Sequence, residues 1–336
     1  MQIPAHQFAT CGYNLRRMLV SLIATVLNEG ENVRRLMNSI CAQTRLPDEI
    51  VICDGGSTDN TRQILESYAL QLPLRIVVAE RSNISKGRNT AIANARYEYI
   101  AVTDAGVHLE PDWLEKLIAP WQTDPQLPLI AGFFRSDPKT VFEIAMGATV
   151  LPEESDINPE KFLPSSRSVA FRRSVWQAVG GYPEWLGYGE DVVFDMAVKG
   201  KFGKFGFAPK ALAHFRPRGS FPAFFRQYFN YASGDGHANL FWLRQVLRYV
   251  TYGIALPLGI YFTYLYGAWV GVPFALVASL YLIVPLRRLI PAIAPLNWKE
   301  KLYALWLVPW IRLVGDIAKI LGYPYGVWLR FTKGKV

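Results

Sequence analysis

Cysteine and histidine are scarce: 336 residues hold three cysteines and four histidines. Cys11, Cys41 and Cys53 are too few and wrongly spaced for a zinc site or a disulfide framework. Cys41 and Cys53 lie in apolar runs and are expected to be small buried residues. A reducing compartment is the simpler inference. The first seventeen residues lack a long apolar core, so no secretory signal is expected and 1–17 read as a flexible lead-in. No internal repeat or low-complexity tract occurs, which excludes repeat architectures. Charged residues make up only 19%, against 51% hydrophobic and 14% aromatic, an unusual balance for a purely soluble protein.

The longest absence is of charge. Tyr249–Leu286 runs for 38 residues without a charged side chain, between Arg244 and Arg248 on one side and Arg287 and Arg288 on the other. A crossing helix needs about 20 residues, so 249–286 predicts a transmembrane hairpin turning near Gly267–Pro273, with both ends cytoplasmic. A buried helical pair in a soluble protein is the other reading of such a run. The net charge is +9, and residues 287–336 carry nine Lys/Arg against two acids. That excess suits membrane lipids with anionic head groups. Leu302–Leu321, interrupted by Arg312, Asp316 and Lys319, predicts an interfacial helix. No nucleic acid partner is indicated, since no recognition motif accompanies the basic residues.

Upstream, strand-like and helix-like segments alternate. Met18–Thr25, Glu49–Cys53, Leu74–Ala79 and Tyr99–Thr103 read as strands. Glu31–Cys41, Thr61–Leu70, Ser85–Ala95 and Pro111–Ile118 read as helices. This order predicts an α/β fold with a mostly parallel twisted sheet covered on both faces. Lys139–Pro164 reads as an irregular loop or insertion. Regular patterns return at Ser168–Phe171, Ser174–Val179, Asp191–Val198 and Phe205–Ala208. The expected organisation is a catalytic domain over 18–220, an amphipathic bridge over 221–248, the hairpin over 249–286 and a basic interfacial region over 287–336.

Three acidic segments stand where ligands bind in such sheets, beyond the carboxyl ends of strands. Asp54 leaves a strand into Gly55-Gly56-Ser57-Thr58-Asp59. It is placed either to accept hydrogen bonds from a base or ribose, or to cap its own turn. Asp104, in Thr103-Asp104-Ala105-Gly106, either holds Mg²⁺ or Mn²⁺ against a diphosphate or marks a tight turn. Glu190-Asp191 follows Gly187-Tyr188-Gly189 and opens a helix, whose N-terminus favours carboxylates. The alternative role is a general base that deprotonates an attacking hydroxyl. His214 is a candidate third metal ligand or phosphate contact, or a structural histidine.

Together these segments resemble the family 2 glycosyltransferases, which have the nucleotide-sugar-binding GT-A fold. The resemblance runs through Ser21–Glu29, Asp54–Thr61, Gly87-Arg88-Asn89, Asp104-Ala105-Gly106, Glu190-Asp191 and the strand ending at His214. It implies that Thr25, Glu29 and Asp54 contact the nucleoside of a nucleotide diphosphate sugar donor. It also implies Arg88 at the donor phosphates or sugar, Asp104 at nucleotide and metal, and Asp191 as the base of an inverting transfer. Two departures stand out. Gly106 replaces the second acid of Asp-x-Asp, which makes the divalent metal uncertain. Gln227-Tyr228-Phe229-Asn230-Tyr231 replaces the Gln-x-x-Arg-Trp of chain-extending synthases, which argues against processive synthesis. The shape resembles enzymes of exopolysaccharide synthesis that extend a polyprenyl-linked saccharide at the cytoplasmic membrane face. Arg172, Arg218 and Gln227 are the candidates for the side of the lipid-linked acceptor, together with Arg167 and Arg216. A polymer-making synthase and an inactive membrane scaffold are the rival functions.

Overall fold

The structure, a computed structural model, describes residues 18–334. The expected lead-in over 1–17, with Cys11, and Lys335 lie outside the described residues. Eight strands form one sheet: β1 (Val20–Val26), β2 (Glu49–Asp54), β3 (Leu74–Val78), β4 (Tyr99–Val102), β5 (Val107–Leu109), β6 (Leu129–Ser136), β7 (Val169–Arg172) and β8 (Gly206–Phe215), in the order β3-β2-β1-β4-β7-β6-β8-β5. The helices of the first part are α1 (Val33–Cys41), α2 (Thr61–Ser67), α3 (Ile84–Asn94), α4 (Trp113–Ile118), α5 (Pro120–Thr123), α6 (Val141–Val150), α7 (Arg173–Val179) and α8 (Glu190–Phe202). Those that follow are α9 (Phe221–His237), α10 (Trp242–Val250), α11 (Leu256–Tyr266), α12 (Ala268–Leu280), α13 (Ile283–Ala292) and α14 (Trp298–Lys333).

The period-two alternation of strands sorts the core into two layers. Leu22, Ala24, Ile50 and Ile52 face one way, onto Val33, Leu36, Met37 and Ile40 of α1 and Trp113, Leu114 and Leu117 of α4. Ile23, Val51, Cys53, Ile100 and Val102 face the other way, onto Ala91 and Ile92 of α3 and Phe194 and Val198 of α8. The sheet is mixed rather than mostly parallel. β1, β2, β3 and β4 pair in parallel, but β7 runs antiparallel between β4 and β6, and β5 antiparallel to β8.

Three further expectations are corrected. Cys53 is buried, but Cys41, at the end of α1, is exposed. Residues 139–164 are not irregular throughout, since α6 begins at Thr140, whose hydroxyl accepts the Glu143 amide at 3.2 Å. Lastly, two membrane crossings are not seen: among the described residues no helix is long and apolar enough to cross a membrane. The charge-free run does form a hairpin. A π-helical turn, Thr251–Ala255, joins α10 to α11, the chain reverses at Gly267 with φ +96°, and α12 packs back along α11. α11 has 11 residues and α12 has 13.

Buried Asp316 of α14 holds both roots of the hairpin, accepting from Tyr252 Oη at 2.9 Å and Tyr281 Oη at 2.7 Å. The helical part is docked on the sheet domain through a third core. Ala304, Leu307, Val308 and Ile311 of α14 form an i, i+3, i+4, i+7 stripe against Phe142 and Met146 of α6, Phe224 of α9, and Leu289 and Ile293 of α13. Burying each large side chain there stabilises the docking by roughly 1.5–3 kcal/mol. Further along α14, Gly322 and Gly326 lie directly on the α9 backbone at Phe229 and Ser233, where a Cβ would collide. Arg287 and Arg288, expected to face lipid head groups, are both paired with Asp156.

Candidate active site

The carboxyl ends of β1, β2 and β4 lie side by side, because β1 pairs with both β2 and β4. Asp54 ends β2. Its Oδ1 accepts from the amides of Gly56 and Ser57 and from the Ser57 hydroxyl at 3.2, 2.9 and 2.7 Å, so the turn-capping role is real. The same turn is laced to the end of β1, where Asn28 Oδ1 accepts the Thr58 amide at 2.8 Å and the Asn28 amide donates to Ser57 Oγ at 2.9 Å. Asn28 takes a positive φ of 52°, which turns the next residue, Glu29, toward the strand ends. Burial raises the Glu29 pKa above the ordinary carboxylate value. Asp104 and Asp59 add to that rise, and Arg218 opposes it. Thr25, near the end of β1, touches α3 at Gly87, where a Cβ would lie 2.9 Å from the Thr25 methyl.

That close approach seats Arg88. Its side chain is only 2% exposed, and it joins two acids from distant parts of the chain. Nη2 donates to Asp104 Oδ1 at 2.8 Å and Nη1 to Glu190 Oε1 at 2.5 Å. Burial works against its charge, yet Asp104 and Glu190 hold the guanidinium above its ordinary pKa. Burial also raises the Glu190 pKa, which Arg88 pulls back down and Asp191 pushes up. Both terminal nitrogens of Arg88 are thus committed to carboxylates. In this arrangement Arg88 positions the two acids relative to each other.

Glu190 and Asp191 open α8 directly after Gly189, whose φ is +77°. One turn further, fully buried Asp195 has its pKa raised well above the usual value by burial, with Asp191 adding to the rise. Arg167, on the loop entering β7, is half-buried near the same acids. Burial opposes its charge, while Tyr231, Asp104 and Asp191 support it. Asp104, Glu190, Asp191 and Arg167 therefore share one site at the sheet's carboxyl edge, beside Glu29 and Asp54.

The other candidates are engaged with neighbouring groups. His214 Nε2 meets Glu110 Oε1 at 2.6 Å, and its ring stacks on His108 at 4.7 Å, so ligating a metal would mean breaking that pair. Arg172 is misplaced as an acceptor contact. It pairs across from Tyr99, at the amino end of β4, and donates to the Gln126 carbonyl. Arg218 lies near enough to Glu29 to oppose the rise in its pKa. Arg216 is held by Glu143 at 2.9 Å. Gln227, on α9, donates to Tyr231 Oη at 2.9 Å.

The family description Glycosyl transferase family 2 matches residues 21–170. The chain carries a family 2 glycosyl transferase domain. An uncharacterized glycosyltransferase of Nostoc sp. is 29% identical over 48% of this chain and 53% of its own length. The chain thus spans about half of that relative. Succinoglycan biosynthesis protein ExoA of Rhizobium meliloti is 27% identical over 67% of this chain and 73% of its own. The mannosyltransferase PcManGT of Pyrobaculum calidifontis, solved with GDP-Man and Mn²⁺, superposes with a TM-score of 0.54 at 17% identity, covering 93% of this chain and 86% of that one. That likeness and the mixed sheet agree with the GT-A fold.

Within the family 2 domain, no group of three His, Cys, Asp or Glu that could hold a metal occurs among the described residues. What is present fits a cation shared with a ligand. Asp104 accepts from Arg88 through Oδ1, and Asp104 and Asp59 add to the rise in the Glu29 pKa that Arg218 opposes. Magnesium commonly takes one or two carboxylates and completes its shell from substrate phosphates and water. Sequence reasoning misses the Arg88 tether, because its partners stand 16 and 102 residues away.

Proposed function

We propose that this chain is an inverting glycosyltransferase, moving one sugar from a nucleotide diphosphate sugar to a lipid-linked saccharide acceptor at the cytoplasmic membrane face, in cell-surface polysaccharide or glycolipid synthesis. One observation carries the reading: Asp104 and Glu190-Asp191, far apart in sequence, meet through buried Arg88 at the carboxyl edge of the sheet.

In this reading Asp54, Glu29 and Thr25 receive the nucleoside, and Asp104 lies at the diphosphate. A divalent cation there would neutralise charge on the departing nucleoside diphosphate. Arg88 fixes Asp104 and Glu190 relative to each other, so the diphosphate end and the base end keep their spacing. Asp191 takes the proton of the acceptor hydroxyl as its oxygen bonds to the anomeric carbon. The bond to the diphosphate oxygen breaks on the opposite face, which inverts the carbon.

The hairpin supports a membrane setting in a form other than crossing. At 1.5 Å per residue, α11 and α12 reach about 16 and 20 Å, against a hydrocarbon thickness of about 30 Å. Ile260, Tyr264, Tyr266, Trp269, Leu276 and Val277 are exposed along these arms. Such a face suits insertion into one leaflet. Trp298, Trp306 and Trp310 on the outer side of α14 are also exposed, as interfacial side chains are. The test is nucleoside diphosphate release from a panel of nucleotide sugars, with lipid extract as acceptor source. Asp191→Asn is expected to lower turnover by about 10²–10⁴-fold with donor binding kept. Unchanged turnover in that variant would overturn the assignment.

A further inference from the structure

Between the base and the hairpin lies a cluster of cations that the proposed transfer has not used. Arg312 and Lys319 of α14 and Arg248 of α10 converge with Arg167 around α9. The Lys319 ammonium stands 5.0 Å from the centre of the Tyr228 ring, and Arg312 lies 4.6 Å over Tyr281. Tyr228 is itself half-buried, and both Arg167 and Arg312 act on its hydroxyl. Two of the four come from α14, one from α10 and one from a loop, so no single amphipathic face accounts for them all.

Their compensation is incomplete. Asp104 and Asp191 support Arg167, and two further carboxylates face the other three. Asp316 accepts from Arg248 Nε at 3.2 Å and lies 3.9 Å from Lys319. Burial pushes the Asp235 pKa up to about 6, with Arg244, Arg248 and Lys319 opposing. Apart from Arg167, three cations, Arg248, Arg312 and Lys319, face two acids, which leaves an excess of positive charge in a half-buried place. Burial correspondingly pulls the Lys319 pKa down to about 8. Buried charge is normally paired. Here Arg312 Nε and Gln227 Oε1 are buried without a hydrogen-bond partner. The side chain of Lys319 remains 24% exposed, so a ligand can reach it.

The cluster also has a direction. Arg167 at one end acts with Asp104 and Asp191. At the other end Arg312 covers Tyr281, whose hydroxyl is fixed with Tyr252 on Asp316, at the roots of the apolar hairpin. An anion held here has the base on one side and an apolar hairpin on the other. We propose that Arg312 and Lys319, with Arg167, bind the phosphate groups of the lipid-linked acceptor, which lays its hydrocarbon along α11 and α12 and presents its sugar hydroxyl to Asp191. This rests on the lipid-acceptor reading above and adds the residues that recognise its charged part.

The test uses the full chain in a neutral detergent, with geranylgeranyl diphosphate as probe and calorimetry as readout. Arg312→Gln and Lys319→Gln are each expected to weaken its binding by about tenfold or more, and Lys319→Arg to keep most of it. UDP and GDP binding should not move in any of the three. Thermal unfolding confirms that each variant is folded. Wild-type affinity in both Gln variants overturns the proposal. So does equal binding of geranylgeraniol, which would mean apolar contact alone. Inorganic diphosphate or phosphatidylglycerol binding as tightly as the probe overturns the lipid-acceptor assignment in favour of a free anion or an ordinary head group. Failure of the wild type to bind any nucleoside diphosphate would instead remove the transferase reading, so the two failures are separable.

Discussion

Replacing Arg88 by Met tests whether the tether organises the site. The change keeps much of the side-chain length and removes the charge. It leaves Glu190, only 9% exposed, without its partner, and frees Asp104. Breaking a buried pair by removing one partner costs about 3–5 kcal/mol, equivalent to roughly 4–7 °C in Tm for a chain of this size. The sign of its pH dependence follows from Glu190. Burial already holds that carboxyl above its ordinary pKa, with Arg88 pulling it down. Loss of Arg88 raises it further, so the folded variant takes up a proton that the unfolded chain releases near pH 4. The stability deficit should therefore be largest at neutral pH and above, and should shrink as pH falls into the carboxylate range. Urea melts at pH 5 and pH 8 measure this. Adding Glu190→Gln to Arg88→Met should restore part of the loss, because the orphaned charge is gone. An Arg88→Met protein as stable as the wild type at pH 8, or a deficit that grows on acidification, would refute the reasoning.

Gly106→Asp should be accepted without strain, since a Cβ there meets nothing within 4 Å. The restored second acid should make donor affinity more dependent on Mn²⁺ by about tenfold, measured by nucleotide binding with and without chelator. Asp195→Asn should match or exceed the wild type in stability at pH 7. Burial raises the Asp195 pKa, so the wild type loses stability as pH rises above about 4, and denaturation from pH 5 to pH 8 should show that slope missing in the variant. Arg172→Gln, at the far end of β4, should change donor and acceptor kinetics by less than about twofold, and a loss of tenfold or more in turnover would contradict its placement.

The parts of this protein legible in its sequence are those decided by neighbours in the chain. β1, β2 and β4 are continuous apolar runs, and an acid or a glycine turn follows each strand, so the chain's local pattern alone puts Asp54 and Asp104 at strand ends. The glycines that precede Asp191 place it in the same way, at the start of a helix. The start of α6 is also written locally, since Thr140-Val141-Phe142-Glu143 has the spacing of a helix start. The proline and acids after it hide the pattern. The mixed strand order is not legible. Nothing local to Val169–Arg172 says that it enters the sheet antiparallel between β4 and β6.

Charge is where local reading fails, because a side chain's partner need not be near it in sequence. Arg287 and Arg288 look like anchors flanking a hydrophobic segment, and a count of flanking positive residues treats them as free. Asp156, 131 and 132 residues earlier, accepts from both. They therefore fasten the middle of α13 to Asp156 rather than report which side of a membrane they face. The opposite error befalls Arg312 and Lys319. On a single amphipathic helix they read as interruptions that keep α14 at an interface. In the folded chain α9 and the hairpin root enclose them with too few acids to match. Long-range packing removes two positive charges from the membrane argument and adds two to the acceptor argument. The net charge of the C-terminal region is unchanged by that exchange, so no count along the chain can tell the two cases apart.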